Sequence, residues 1–157
     1  MTYVIIGAGP SGVTAAEALR KADPAGEIVL LGDEPEPPYS RMAIPYLLTG
    51  QIDEAGTYLR KQDGYYDTNR IDYRQATVES VDTASKSVKL AGGGTQSYDK
   101  LLIATGASPI RPPVEGLDLP GVHHCWTLAD AREIAERANE GADVVLMGAG
   151  FIGCIIL

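Results

Sequence analysis

One pattern occurs twice and governs how the rest of this chain can be arranged: an apolar run that ends in Gly-x-Gly-x-x-Gly. Val4-Ile5-Ile6 leads into Gly7, Gly9 and Gly12, and Val145-Leu146-Met147 leads into Gly148, Gly150 and Gly153. A strand that turns on glycines at this spacing and passes straight into a helix is the start of a β-turn-α-β unit. Its strands lie in a parallel sheet covered on both faces, so they read as unbroken apolar runs rather than alternating ones.

The first unit is complete in the sequence. Tyr3 to Ile6 predicts a buried strand, and Ser11 is placed to cap the following helix. Ala15, Ala16 and Leu19 form that helix's apolar face, with Glu17, Arg20 and Lys21 outward. Asp23-Pro24-Ala25-Gly26 stops it, and Ile28 to Leu31 is the second buried strand. A Pro-rich stretch from Pro35 to Pro45 reads as irregular, and the residues from Ile52 to Tyr66 as short helices.

From Tyr73 the period changes to two. Ala76, Val78 and Val81 precede a turn at Asp82 to Lys86, then Val88-Lys89-Leu90 and Gly92-Gly93-Gly94 follow, which predicts an antiparallel meander. Leu101 to Ala104 returns to a solid apolar run, hence a core strand. Pro109, Pro112 and Pro113 mark an extended exit. Thr127 to Ala138 is a helix with Thr127 as cap and Asp130 in its first turn, and Val144 to Met147 is a further buried strand. The fold class is therefore α/β, a Rossmann-like parallel sheet with an inserted antiparallel β-meander.

The glycines carry a chemical expectation. Gly7 permits a tight turn, Gly9 lets the backbone approach a pyrophosphate, and Gly12 lets helix pack closely on strand, while the helix N-terminus offers free N–H groups to the anion. Asp33 and Glu34 fall about twenty residues further on, just after the second strand, where a carboxylate can accept from ribose hydroxyls. The plain alternative is a βαβ turn with surface acids. Ala104-Thr105-Gly106 is either a small-residue strand end or a place where a flat ligand lies against backbone. Arg41, in Tyr39-Ser40-Arg41, is either a solvated loop charge or a partner for a diphosphate. Gly148, Gly150 and Gly153 predict a second nucleotide site, with no acid or arginine after them to choose between NAD and NADP.

The net charge of -8 argues against nucleic acid and against an anionic membrane surface, since both need a basic footprint. It suits a basic partner or simple solubility. No apolar run approaches the roughly 20 residues of a membrane span, and no signal peptide is recognisable, which makes the cytoplasm the expected location. Cys125 and Cys154 form no Cys-x-x-Cys pair and read as free thiols in or near the core. The adjacent His123 and His124 would face opposite ways on a strand; no metal site is predicted.

Taken together, the two glycine fingerprints about 140 residues apart, the loop from Asp33-Glu34-Pro35 to Tyr39-Ser40-Arg41, the meander and Ala104-Thr105-Gly106 resemble the two-dinucleotide-fold flavoproteins. This is the pyridine nucleotide-disulfide oxidoreductase family, with ferredoxin and rubredoxin reductases and the nitrite reductase flavoprotein among its members. The resemblance implies FAD in the first unit and NAD(P)H in the second. By position it assigns Gly7, Gly9, Pro10, Ser11 and Gly12 to the FAD pyrophosphate, and Asp33 with Glu34 to the adenosine ribose. Arg41 goes to the diphosphate, the Val78 backbone to adenine, and Ala104, Thr105 and Gly106 to the middle of the cofactor. Gly148, Gly150 and Gly153 go to NAD(P).

The resemblance also divides the chain into an FAD-binding domain, 1–125, lacking a return strand, and the start of an NAD(P)-binding domain, 126–157. Electrons would pass from NAD(P)H through FAD to a protein or small-molecule acceptor, with no catalytic side chain assignable. Alternatives are a non-catalytic FAD-binding fragment and a thiol, coenzyme A-disulfide or peroxide reductase. The last is disfavoured, because Met42 stands where single-cysteine members carry their thiol, ahead of Ile44-Pro45-Tyr46. Tyr46 replaces a lysine common in ferredoxin-reductase-like members, and Ile155 a glutamate common after the second fingerprint.

Overall fold

The structure is a computed structural model and describes residues 1–148. Gly150, Gly153, Cys154 and Ile155 lie outside the described residues. The chain divides into two compact units, one of Met1–Ser40 and Tyr58–Ala107, the other of Arg41–Thr57 with the residues from Ser108 on.

In the first unit, β1 (Thr2–Ile6) feeds α1 (Pro10–Ala22), which returns to β2 (Glu27–Gly32). A one-turn helix, Tyr65–Thr68, precedes β3 (Ile71–Gln75). There follow β4 (Val78–Asp82), β5 (Ser87–Leu90) and β6 (Thr95–Ser97), then β7 (Lys100–Ile103). The strands β3-β2-β1-β7 make a four-stranded sheet, parallel throughout, and β4-β5-β6 a separate antiparallel meander.

Strand alternation explains both faces of the parallel sheet. Ile5, Ile28, Leu30 and Ile71 point to α1 and bury Val13 and Ala16. Val4, Ile6, Val29 and Leu31 point the other way, onto Val88 of the meander, with Val78, Val81 and Leu90 packed around it. Each such fully buried aliphatic side chain is worth roughly 1.5–3 kcal/mol. The meander thus does what a second helix layer does in a doubly wound fold.

Three local expectations give way here. Ile71–Gln75 is not the start of the meander: it pairs in parallel with β2 and closes that side of the sheet. It alternates because Ile71 and Tyr73 face the α1 side while Asp72 and Arg74 are exposed. Ser11 does not cap α1; the cap position is Gly9, with no side-chain hydrogen bond. The run Leu101 to Ala104 forms a strand only as far as Ile103, and not a fully covered one, since Ile103 is 62% exposed. Among the described residues β7 pairs only with β1, so its outer side has no neighbour.

In the second unit, a 3-10 turn at Arg41–Ala43 runs into α2 (Ile44–Leu48). Pro45 sits in the first turn, where its missing N–H costs nothing. The irregular stretch therefore ends at Ser40, before Pro45. A second 3-10 turn, Glu54–Thr57, is joined by a bidentate ion pair from Arg132 on α3 (Leu128–Arg137), at 2.6 and 2.9 Å. This α3 has a full capping box: Thr127 accepts from the Asp130 N–H, and the Asp130 carboxylate accepts from the Thr127 N–H. Residues 104–127 hold no regular helix or strand, as the prolines imply.

Val144 to Met147 is not a buried strand. It has no regular structure, and Val145 is 93% exposed. An apolar run becomes a strand only against a partner, and among the described residues none pairs with it. No helix among the described residues is long and apolar enough to cross a membrane.

Candidate functional site

In the order β3-β2-β1-β7 the chain first adds strands on one side of β1 and then crosses to the other. In open parallel sheets, ligands bind at that reversal, in the crevice beyond the carboxyl ends of the strands. The segments leaving β1 and β7 there are Gly7 to Gly12 and Ala104 to Gly106.

Gly7 is held by its N–H, which donates to the Leu31 carbonyl at 2.7 Å, and it adopts φ +107°. A Cβ at this position would lie 2.3 Å from the Ala104 carbonyl oxygen and 2.9 Å from the Thr105 nitrogen. Ala104 is fixed in turn by its own N–H, which donates to the Ile6 carbonyl at 2.7 Å. The two small-residue motifs are therefore in backbone contact. A Cβ on Gly12 would lie 1.9 Å from the Gly7 carbonyl oxygen, so that glycine is dictated by helix-on-strand packing.

Gly9 differs. A Cβ there would meet nothing within 4 Å. Its backbone is extended and its carbonyl accepts from the Val13 N–H at 3.0 Å, opening α1. The first turn of α1 has no side-chain cap and no acidic residue, in contrast to the boxed N-terminus of α3. Backbone N–H groups and the positive end of the helix dipole thus face open space that no side chain fills. Pro10 and Ser11, both exposed, border it. That cradle fits a dinucleotide pyrophosphate.

Beyond β2, Gly32 packs tightly: a Cβ there would lie 2.8 Å from the Ala8 Cβ and 3.3 Å from the Tyr73 ring. Asp33 is exposed and Glu34 half-buried. The Glu34 carboxylate accepts from the Tyr39 hydroxyl at 2.5 Å. The Tyr73 hydroxyl donates to the Glu36 carbonyl at 3.2 Å. Burial first, and then the carboxylates of Glu34, Glu36 and Asp33, push the Tyr73 phenol above its ordinary pKa. Val78 opens β4, opposite Leu90, just before a bulge.

Arg41 lies in the second unit, its guanidinium 5.1 Å from the centre of the Trp126 ring. Met42 and Tyr46 are exposed in the same segment. Burial first, and Asp130 next, raise the Cys125 thiol pKa, which makes it a poor nucleophile. Gly148 has φ +112°, and a Cβ there would meet nothing within 4 Å.

Sequence reasoning passed over two of the groups that shape this region. Tyr39 has no role that its triplet announces, and Tyr73 marks in sequence only the start of an alternating run. Their signal, a hydroxyl reaching back to the loop after β2, exists only once the loop is folded.

The family described as pyridine nucleotide-disulphide oxidoreductase matches residues 1–156. A probable ferredoxin reductase of Castellaniella defragrans is 40% identical over 151 residues, which are 96% of this chain and 37% of that protein. The ferredoxin–NAD(+) reductase component of the biphenyl dioxygenase system of Paraburkholderia xenovorans is 36% identical over 155 residues, covering 98% of this chain and 38% of the other. Among solved structures, a ferredoxin reductase of Rhodopseudomonas palustris superposes with TM-score 0.92 at 31% identity, over 99% of this chain and 38% of that one. The chain thus spans under two fifths of the length of these relatives.

Proposed function

Because this chain belongs to the pyridine nucleotide-disulphide oxidoreductase family, we propose that it is the FAD-binding part of a cytoplasmic NAD(P)H-dependent flavoprotein oxidoreductase, which passes electrons to a protein or small-molecule acceptor. The observation that carries this is the cradle at Gly9, an uncapped helix end facing open space where the strand order reverses. Bound FAD would supply the redox chemistry, accepting a hydride and releasing electrons onward.

The chain's own residues bind and orient. Gly7, Gly9, Pro10, Ser11 and Gly12 take the pyrophosphate; Asp33 and Glu34 the adenosine ribose. Arg41 balances the diphosphate charge, the Val78 backbone meets adenine, and Ala104, Thr105 and Gly106 lie along the middle of the cofactor. Residues 1–125 are assigned to the FAD domain and 126–157, with Gly148, Gly150 and Gly153, to the start of an NAD(P) domain. The ferredoxin reductases among the relatives favour a small redox protein as acceptor.

The test is anaerobic stopped-flow mixing of the complete protein with NADH and with NADPH, followed by a panel of acceptors. Bleaching of bound FAD by one nicotinamide, and reoxidation by a redox protein, is the expected result. A complete protein that purifies without flavin and takes none up overturns the reading.

A further inference from the structure

Gly32, the last residue of β2, stands between the two halves of the proposed cofactor site. It is buried, and its backbone is not of the left-handed kind that favours glycine. Packing is what excludes a side chain there. A Cβ would lie 2.8 Å from the Ala8 Cβ, with the Tyr73 ring at 3.3 Å and the Tyr73 hydroxyl oxygen at 3.4 Å. Ala8 sits between Gly7 and Gly9 in the glycine turn, and the residue after Gly32 is Asp33. The Ala8 methyl is therefore a spacer between that turn and the strand end that carries the first of the two acids.

The turn side of this contact is firm. The Gly7 N–H donates to the Leu31 carbonyl at 2.7 Å, and Gly7 abuts the backbone of Ala104 and Gly12. On the strand side, the Gly32 carbonyl accepts from the Ala76 N–H at 2.7 Å, but Asp33 beyond it is exposed. An alanine methyl has no rotamer by which to withdraw, and a packed interior responds to a change of a single methyl group. A wedge at Gly32 therefore displaces Asp33 outward, and a methyl missing from Ala8 lets it settle inward.

Resting on the FAD reading, we propose that the Ala8 methyl, seated against Gly32, sets the distance from the pyrophosphate turn to the Asp33 carboxylate, and with it the preference of the first site for an intact ribose. Ala8 is a positioning residue in this scheme: its methyl acts on the ribose only through Gly32 and Asp33. A ligand that bridges two groups binds best when their spacing is fixed beforehand.

Calorimetry on the complete protein, stripped of flavin, compares ADP with 2′,3′-dideoxy-ADP. Wild type should bind ADP about tenfold more tightly, the worth of hydrogen bonds to a charged acceptor. Gly32→Ala should erase most of that preference by weakening ADP alone. Ala8→Gly, which adds no bulk to the packed interior, should cut the preference roughly threefold. Combining Ala8→Gly with Gly32→Ala returns a single methyl to the gap and should restore the wild-type ratio, a coupling that independent positions do not show. In an Asp33→Asn background neither single substitution should change the ratio further. Failure of the combined variant to restore the ratio overturns the proposal, as does equal weakening of both nucleotides in Gly32→Ala or an unchanged ratio in Ala8→Gly. A wild-type protein that binds neither nucleotide overturns instead the FAD reading on which the proposal rests.

Discussion

Gly12 and Gly7 meet backbone to backbone, so closely that a Cβ on Gly12 would stand 1.9 Å from the Gly7 carbonyl oxygen. The obstacle is backbone and cannot rotate away. Gly12→Ala therefore has to lift α1 from β1 or distort the turn that Gly7 makes. The expected cost is about 3 kcal/mol of stability, at the upper end for an overpacked core position. Urea unfolding of the flavin-free protein measures it; a loss below about 1 kcal/mol would mean that the helix rides freely on the sheet.

Gly9→Asp should act in the opposite sense on folding and on binding. Nothing obstructs a side chain at Gly9, and the position is the N-cap of α1, where Asp is among the preferred residues. The flavin-free protein should be as stable as wild type or a few tenths of a kcal/mol more so. FAD binding should be abolished, because the carboxylate fills the cradle and repels the pyrophosphate. Purified Gly9→Asp protein that remains yellow with stoichiometric flavin refutes the placement.

Arg20 clips the far end of the same unit. Its guanidinium donates to the carbonyls of Asp23, Pro24, Gly26, Asn69 and Arg70. Arg70 itself sits at φ +52°. Arg20→Met keeps the apolar stem and strands those carbonyls, for an expected loss of about 2–3 kcal/mol. Hydrogen exchange should show the turn before β3 opening first, with FAD affinity unchanged.

The Glu17 carboxylate accepts from Arg60 at 2.6 and 2.8 Å and from Tyr65 at 2.9 Å. The Arg60 hydrogen bond chiefly holds its pKa below the ordinary value, with Tyr65 adding to it against the opposing effect of burial. A carboxylate depressed on folding stabilises above its unfolded pKa of about 4.3, and that stability is lost as pH falls through the lower folded value. Acid titration of unfolding should show a stability decline below about pH 4.3 that is shallower in Glu17→Gln. Identical slopes would mean the pair is silent.

Thiol-blocking reagents should leave flavin reduction in the complete protein untouched. Met42 supplies a thioether where a reactive thiol would stand, and the Cys125 thiol is held protonated by burial. Loss of reduction in proportion to alkylation would reveal a redox thiol.

The sheet was legible where burial on both faces wrote unbroken apolar runs, as in Val4 to Ile6 and Ile28 to Leu31. The Thr127–Asp130 box was legible because a cap is local chemistry. Ile71 to Gln75 was not, because a strand covered on one face alternates like a meander strand, and only the partner decides which it is. Val144 to Met147 fails for the related reason that apolar content proposes a strand while pairing makes one. Ser11 misled because it stands two residues inside the helix, and the true cap position carries no side chain. In the site, the glycine cradle and its neighbour Ala104 could be inferred from motif chemistry. The Tyr39 contact to Glu34 could not, since it depends on how the loop after β2 folds back.

The place of β1 in the middle of its sheet has a consequence for how the chain is made. The Thr2 N–H donates to the carboxylate of Asp99, 97 positions further along the chain, at 2.7 Å. At ribosomal speeds the first strand waits on the order of ten seconds for the partner on that side. The β1-α1-β2 unit and the hairpins of the meander, built from near neighbours in sequence, can form during the wait. Until β7 emerges, one edge of the earliest strand stays open to whatever other chain is near, which makes that interval the stage of biosynthesis most exposed to aberrant pairing.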